Sequence, residues 1–190
     1  MADDAMIDET LKDAEERMGK AIEALSRDLA TIRTGRASPG LVEQLRVDYY
    51  GTPTPLQQLA SVGVADARLL TIQPYDKGSL EAIEKAIQKS DLGLNPSNDG
   101  NIIRLAIPQL TEDRRKEMVR LVHKKSEESR VSIRNVRRDA HEMLRDLHRE
   151  KEISEDEERD AQDQLQKITD RFVEKAGDVG TEKEQELMEV

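Results

Sequence analysis

The sequence predicts an α+β protein in which a long three-helix bundle is interrupted by a small β/α/β domain. Three observations carry this prediction. Apolar residues recur at steps of three and four near both ends of the chain, the helical stripe spacing. All six prolines and most glycines fall between residues 35 and 110, where short alternating runs replace that rhythm. Aromatics are only 2% of 190 residues, against 37% charged residues, a composition of long helices rather than of a sandwich or large α/β enzyme.

The first helix is expected over residues 6–34. Ile7, Leu11, Ala14, Met18, Ile22, Leu25, Leu29 and Ile32 fall on one stripe. Gly35 is expected at its C′ position, where positive φ is tolerated. Leu45–Tyr50 alternates like a half-buried strand, and Gly51–Pro55 reads as a turn. Leu56–Val64 and Leu69–Gln73 are further strand candidates. Ser79 is expected to cap a short helix through Ser90 with Leu80, Ile83 and Ile87 inward. Leu94–Gly100 reads as a loop, and Ile102–Ile107 as a last strand ended by Pro108.

Thr111 is expected to cap a second long helix, with Glu112 and Asp113 in its acidic first turn. Its apolar rhythm is Met118, Val122, Lys125, Ser129, Ile133, Val136, Ala140, Met143 and Leu147, a rod of about 40 residues. Ser154–Glu157 reads as a capping box opening a third helix with Ala161, Leu165, Ile168, Phe172 and Ala176 inward. Residues 177–190 read as polar and frayed, with Leu187 and Met188 able to pack back. The bundle is thus expected from 1–35 and 111–190, and the inserted domain from 36–110. The chain crosses between them at 35–40 and 107–111. Gly35, Arg36, Pro39, Gly40 and Pro108 are expected to form a hinge there.

The residue types exclude several functions. There is no Cys, hence no disulfide, thiolate metal site or Cys nucleophile, and weak support for a reducing compartment. The acidic start, MADDAMIDET, is no secretory signal, and no apolar run is long enough to span a membrane. A cytoplasmic protein is the expectation. No phosphate-binding glycine motif is present, and Gly35–Gly40 lacks the strand and glycine placement of a nucleophile elbow. His123, His141 and His148 lack a third ligand at metal spacing, so structural or solvent-facing roles are expected. No enzyme activity and no cofactor are expected.

Net charge is −10, which disfavours bulk coating of nucleic acid. The charge is nevertheless segregated. Residues 114–151 hold 13 basic and 7 acidic side chains, whereas 152–190 hold 5 and 14. At 100° per residue Arg130, Arg134, Arg137, Arg138 and Arg145 fall within about a third of the helix circumference, away from the apolar stripe. One reading is a solvated face neutralised by Glu127, Asp139, Glu142 and Asp146. The favoured reading is a phosphate-binding row, because arginine grips phosphate with two parallel bonds. No aromatics interleave with it, so shape and backbone of structured RNA would be recognised rather than stacked bases. Tyr49–Tyr50 is the one aromatic cluster, either a small core with an ordered turn or a partner surface.

Several segments together resemble the ribosome recycling factor family. They are Ile32–Pro39 (IRTGRASP), Tyr49–Leu56 (YYGTPTPL), Ser90–Pro96 (SDLGLNP), Leu110–Arg115 (LTEDRR), Arg134–Asp139 (RNVRRD) and Lys151–Glu157 (KEISEDE). They span nearly the whole chain in family order. The match thins at residues 1–8 and after 158, and Asp113 stands where the family usually has Glu. The resemblance implies an L-shaped two-domain molecule that works as a monomer, with no chemistry of its own. It implies binding to the post-termination 70S ribosome between the subunits. With elongation factor G and GTP, the factor would split the subunits and free mRNA and tRNA. The bundle would lie on large-subunit rRNA through Arg134 and Arg137, with Arg115 and Arg130 nearby and Arg138 on the same face. The small domain would meet the elongation factor. A coiled-coil module for protein partners and a chaperone of free RNA are the competing readings. No Arg-rich transit peptide precedes residue 6, which favours the bacterial over the organellar form.

Overall fold

The computed structural model describes residues 2–189; the expected bundle limits at Met1 and Val190 lie outside them. The chain divides into two compact units. One is built from the chain on either side of an insertion, and the insertion, Arg33–Thr111, is the other.

The first unit packs α1 (Ala2–Ala30), α4 (Glu112–Arg149) and α5 (Glu155–Met188) against one another. All eight residues of the first predicted stripe are buried, with Met18 fully so. Helix α1 stops at Ala30, earlier than expected, and Ile32 closes its last turn by donating to the Leu29 carbonyl at 3.1 Å. Gly35 is therefore not its C′ residue, although its φ of 77° is left-handed. Helix α4 spans about 57 Å at 1.5 Å per residue. It ends in a Schellman motif. Glu152 N donates to Leu147 O at 2.9 Å and Lys151 N to His148 O at 3.0 Å, with Lys151 at φ 61°.

The expected capping box is present. Ser154 Oγ accepts from Glu157 N at 3.2 Å, and Glu157 Oε2 accepts from Ser154 N at 2.7 Å. That backbone bond holds the Glu157 carboxyl below its usual range. Three stripe assignments change. Ser126 is buried in place of Lys125. Leu144 is fully buried while Met143 is 54% exposed, and Thr169 is buried in place of Ile168. Nor is the stretch after 176 frayed. Helix α5 runs to Met188, with Gly180 and Leu187 buried against the bundle and Met188 exposed.

The second unit holds a hairpin of β1 (Arg46–Tyr49) and β2 (Thr52–Pro55), a one-turn helix α2 (Leu56–Leu59), and α3 (Leu80–Lys89). A four-stranded antiparallel sheet runs in the order β3-β4-β6-β5, from Ala60–Asp66, Leu69–Pro74, Ile103–Ala106 and Pro96–Asn98. Its core is aliphatic, centred on Val47, Leu56, Leu70, Ile72, Ile83, Ile87, Ile103 and Leu105.

Four local expectations fail here. Residues 52–55 form a strand despite two prolines. With Tyr49 paired to Thr52 across a two-residue loop, Pro53 and Pro55 oppose Asp48 and Arg46, the pairs that exchange no backbone hydrogen bonds, so their missing N–H costs no ladder bond. The stretch 56–59 is helical rather than extended, and Pro96–Asn98 inside the expected loop adds an edge strand to β6. Ser79 precedes α3 but does not cap it; its hydroxyl donates to the Asp76 carbonyl at 2.6 Å.

Candidate nucleic-acid interface

The arginine row begins on the sixth turn of α4 and continues through the tenth, where the helix meets α5. Ile133, Val136 and Ala140 bury the opposite stripe and fix the rotation of the helix. The row does not point uniformly outward. Arg134 and Arg138 are exposed, while Arg130 and Arg137 fold partly over the α4/α5 seam.

Arg130 Nη1 lies 3.5 Å from Glu127 Oε2, and Arg134 Nη1 donates to Glu127 Oε1 at 3.2 Å, so one carboxylate bridges two guanidiniums. Arg137 Nη1 donates to Gln166 Oε1 of α5 at 3.2 Å, and Gln166 Nε2 in turn donates to Asp170 Oδ1 at 2.8 Å. Arg138 Nη2 donates to Asn135 Oδ1 at 3.1 Å. Arg134, Arg137, Arg138, His141 and Gln162 line an open groove of about 570 Å³. His141 Nδ1 lies 2.7 Å from Gln162 Oε1, whose amide nitrogen reaches back to the His141 carbonyl at 3.2 Å. Residues Arg134–His141 thus present three guanidiniums and an imidazole along one edge of a groove, held mostly by neutral partners.

Arg115 stands apart. It is half-buried in the first turn of α4, about 22 Å along the axis from Arg130, and its Nε is buried with no hydrogen-bond partner. Sequence reasoning missed the contribution of α5. Gly177 leaves room for Arg130, since a Cβ there would come within 2.6 Å of Nη2. Gly180 likewise faces Ser126. A pair of glycines inside a helical pattern was the available signal. The other histidines pair with acids: His123 with Glu184 at 3.0 Å and His148 with Glu158 at 2.8 Å. Among the described residues no cluster of His, Asp and Glu could hold a metal, and no helix is long and apolar enough to cross a membrane.

The expected hinge residues sit around the turn between β3 and β4. Ala37 N donates to Ala67 O and Ile107 N to Arg68 O, both at 2.8 Å. Both crossing segments are therefore bonded to the same turn of the small unit. Pro39 and Gly40 lie in a 3₁₀ turn inside that bonded region. Gly35, Arg36 and Pro108 lie just outside it, and a Cβ on Gly35 would lie 3.4 Å from the Leu110 side chain.

Comparison with known proteins covers nearly the whole chain. The family model for ribosome recycling factor matches residues 25–188. The ribosome-recycling factor of Syntrophomonas wolfei is 56% identical over 185 residues, 97% of this chain and 100% of that protein. The ribosome-recycling factor of Nitratidesulfovibrio vulgaris is 57% identical over 180 residues, 95% of this chain and 97% of its own length. A solution structure of a ribosome recycling factor superimposes with a TM-score of 0.77 at 44% identity, covering 97% of this chain and 98% of that one. The T. thermophilus factor, in models that include E. coli elongation factor G bound to the E. coli post-termination complex, gives a TM-score of 0.64 at 48% identity, with 95% and 98% covered. On this similarity, which runs through both units, the chain belongs to the ribosome recycling factor family.

Proposed function

We propose that this chain recycles ribosomes after termination. It binds the post-termination 70S ribosome in the intersubunit space and, with elongation factor G and GTP, promotes subunit splitting and release of mRNA and tRNA. The observation that carries this reading is the 48% identity, over 95% of the chain, to a recycling factor found with elongation factor G on the post-termination complex. The physical arrangement supports it. Arg130, Arg134, Arg137 and Arg138 are the proposed rRNA contacts on the large subunit, and Arg115 is a further one near the start of α4. Arginine suits this task because its fork bonds two phosphate oxygens at once. Gly35, Arg36 and Pro108 are the proposed pivot, with Pro39 and Gly40 at its edge. The chain acts as a cytoplasmic monomer and supplies no chemistry; the elongation factor hydrolyses GTP.

Co-sedimentation with 70S ribosomes and separated subunits across a salt series tests this. Wild type should bind 70S and the large subunit saturably, with affinity falling as salt rises. Each phosphate contact steepens the log–log salt slope by about 0.7–0.9, so Arg134→Ala/Arg137→Ala should flatten it by about 1.5. Absence of binding by folded wild type at low salt would reject the reading.

A further inference from the structure

Guanidiniums grip phosphates, and phosphates are common to RNA and DNA. One side chain on the same edge offers a different chemistry. His141 stands one turn beyond Arg137 and Arg138 on α4, is exposed, and lines the same groove.

Its neighbour on α5 fixes where the ring carries its hydrogen. Gln162 Nε2 donates to the His141 backbone carbonyl at 3.2 Å, and a carbonyl can only accept. That bond sets the orientation of the amide, so the atom 2.7 Å from His141 Nδ1 is the amide oxygen, Oε1. Two acceptors cannot share such a contact. Nδ1 therefore holds the hydrogen and donates it to Gln162. In the uncharged ring Nε2 is then a bare acceptor, and no hydrogen bond reaches it among the described residues. A free imidazole favours the opposite tautomer, with its hydrogen on Nε2, so Gln162 imposes the less common one.

This acceptor stands among donors. The charged groups lining the groove are Arg134, Arg137 and Arg138 from α4 and Asp163 from α5, with Glu142 and Arg145 flanking His141 along α4. The arginines only donate and suit phosphate oxygens, which have no hydrogen to offer Nε2. Asp163 disfavours a phosphate on the α5 wall, which leaves phosphate to the α4 side, where His141 stands. The donor that accompanies every RNA phosphate is the ribose 2′-hydroxyl, on the carbon next to the one bearing the 3′-phosphate. Residues three and four apart on a helix have Cβ atoms about 5–6 Å apart, so a phosphate held by Arg137 or Arg138 brings its ribose to His141.

We propose that His141 Nε2 accepts a hydrogen bond from a ribose 2′-hydroxyl of the bound RNA, and that Gln162 is the positioning residue that holds the ring in the tautomer this requires. The contact makes one point on a phosphate-gripping edge selective for RNA over DNA. It rests on the rRNA binding proposed above.

Nitrogen-15 NMR of the free protein at about pH 8, where an ordinary imidazole is uncharged, tests the tautomer. The His141 ring should carry its hydrogen on Nδ1, and Gln162→Leu should move it to Nε2. A wild-type ring with its hydrogen on Nε2 would overturn the proposal and leave the recycling reading intact. Co-sedimentation with large ribosomal subunits across a salt series, at the same pH, tests the contact. His141→Ala and Gln162→Leu should each weaken binding by about three- to tenfold, the range of one uncharged hydrogen bond. The salt slope should not change, because no charge is removed. His141→Gln keeps a side-chain acceptor and should recover part of the loss. Full affinity in His141→Ala would overturn the proposal while wild-type binding still upholds the recycling reading. A loss seen only below about pH 6.5, with the slope flattened by about 0.7–0.9, would make the ring a cation on a phosphate and overturn it too. Failure of wild type to bind large subunits would remove the function on which the proposal stands, and the proposal with it.

Discussion

Gly180 and Ser126 make a tight contact between α5 and α4 just ahead of the arginine row, and a double-mutant cycle measures it. Gly180 faces Ser126, and a Cβ on Gly180 would lie well inside 3.0 Å of Ser126 Oγ and 3.3 Å from Ser126 Cβ. Alanine gains about 1 kcal/mol of helix propensity over glycine, whereas overpacking a tight contact costs about 1–3 kcal/mol. Gly180→Ala should therefore lower stability by up to about 2 kcal/mol. Ser126 Oγ is itself buried without a hydrogen-bond partner, and such a group costs about 1–3 kcal/mol. Ser126→Ala should accordingly stabilise by about 1 kcal/mol. With the hydroxyl gone, the remaining neighbour at 3.3 Å has only to yield a few tenths of an ångström. The alanine at 180 should then be neutral or stabilising, giving a coupling of about 1–2 kcal/mol between the sites. Urea unfolding followed by far-UV circular dichroism reads all four corners of the cycle. A Gly180→Ala single variant clearly more stable than the wild type would refute the claim that this contact is too tight for a Cβ.

Two further predictions separate burial from composition and titration from burial. Leu144→Ala should cost about 2–5 kcal/mol and Met143→Ala less than about 0.5 kcal/mol by chemical unfolding, because only the first side chain is buried. Asp99 accepts backbone N–H bonds from Ile102 and Asn101 and one from Arg104, which lower its pKa to about 2. A lowered carboxylate pKa adds stability above its unfolded value of 3.8 and loses it as pH falls toward 2. A carboxyl NMR titration of Asp99 should have its midpoint near 2, and Asp99→Asn should abolish this acid-side dependence at the 99–104 turn.

What the sequence made legible follows from how local each cause is. All eight α1 stripe residues are buried because nothing in that segment competes with the three-four rhythm. The Ser154 capping box was equally plain, since both its bonds lie within four residues. Two of the misassigned positions are ones where a more apolar neighbour drew attention from helical phase. Leu144 follows Ala140 by 40° and Met143 by 60° in the opposite sense, so rotation alone favours the leucine. Thr169 could replace Ile168 inside because its hydroxyl donates to Leu165 O at 2.8 Å, leaving no orphaned polar group. The strand at 52–55 was hidden because the cost of its prolines depends on pairing register, which only the folded hairpin reveals. The same holds for the interface. The arginine row was visible as a period, but Gln162, Gln166 and Gly177 join it only through the packing of α4 on α5.

That packing also explains how a chain of net charge −10 can present a basic edge. A carboxylate on every arginine would hold the row still and cancel its field. Here Arg137 and Arg138 are oriented by the neutral acceptors Gln166 and Asn135, which direct the guanidinium without neutralising it. Glu127 is the carboxylate within reach of Arg130 and Arg134, at 3.5 and 3.2 Å. Both pairs are solvent-exposed enough that their attraction is of order 0.2–1 kcal/mol and falls with salt. An incoming phosphate offers each guanidinium two charge-assisted bonds in place of one weak shared pair. The arrangement therefore orders the row at little electrostatic expense, and in the function proposed above Glu127 is the group an RNA backbone would displace. Residues 152–190 carry 14 carboxylates against 5 cations, yet α5 turns amides and a glycine toward the row at Gln162, Gln166 and Gly177. Segregating the charges by helix is what keeps a basic edge available on an acidic protein.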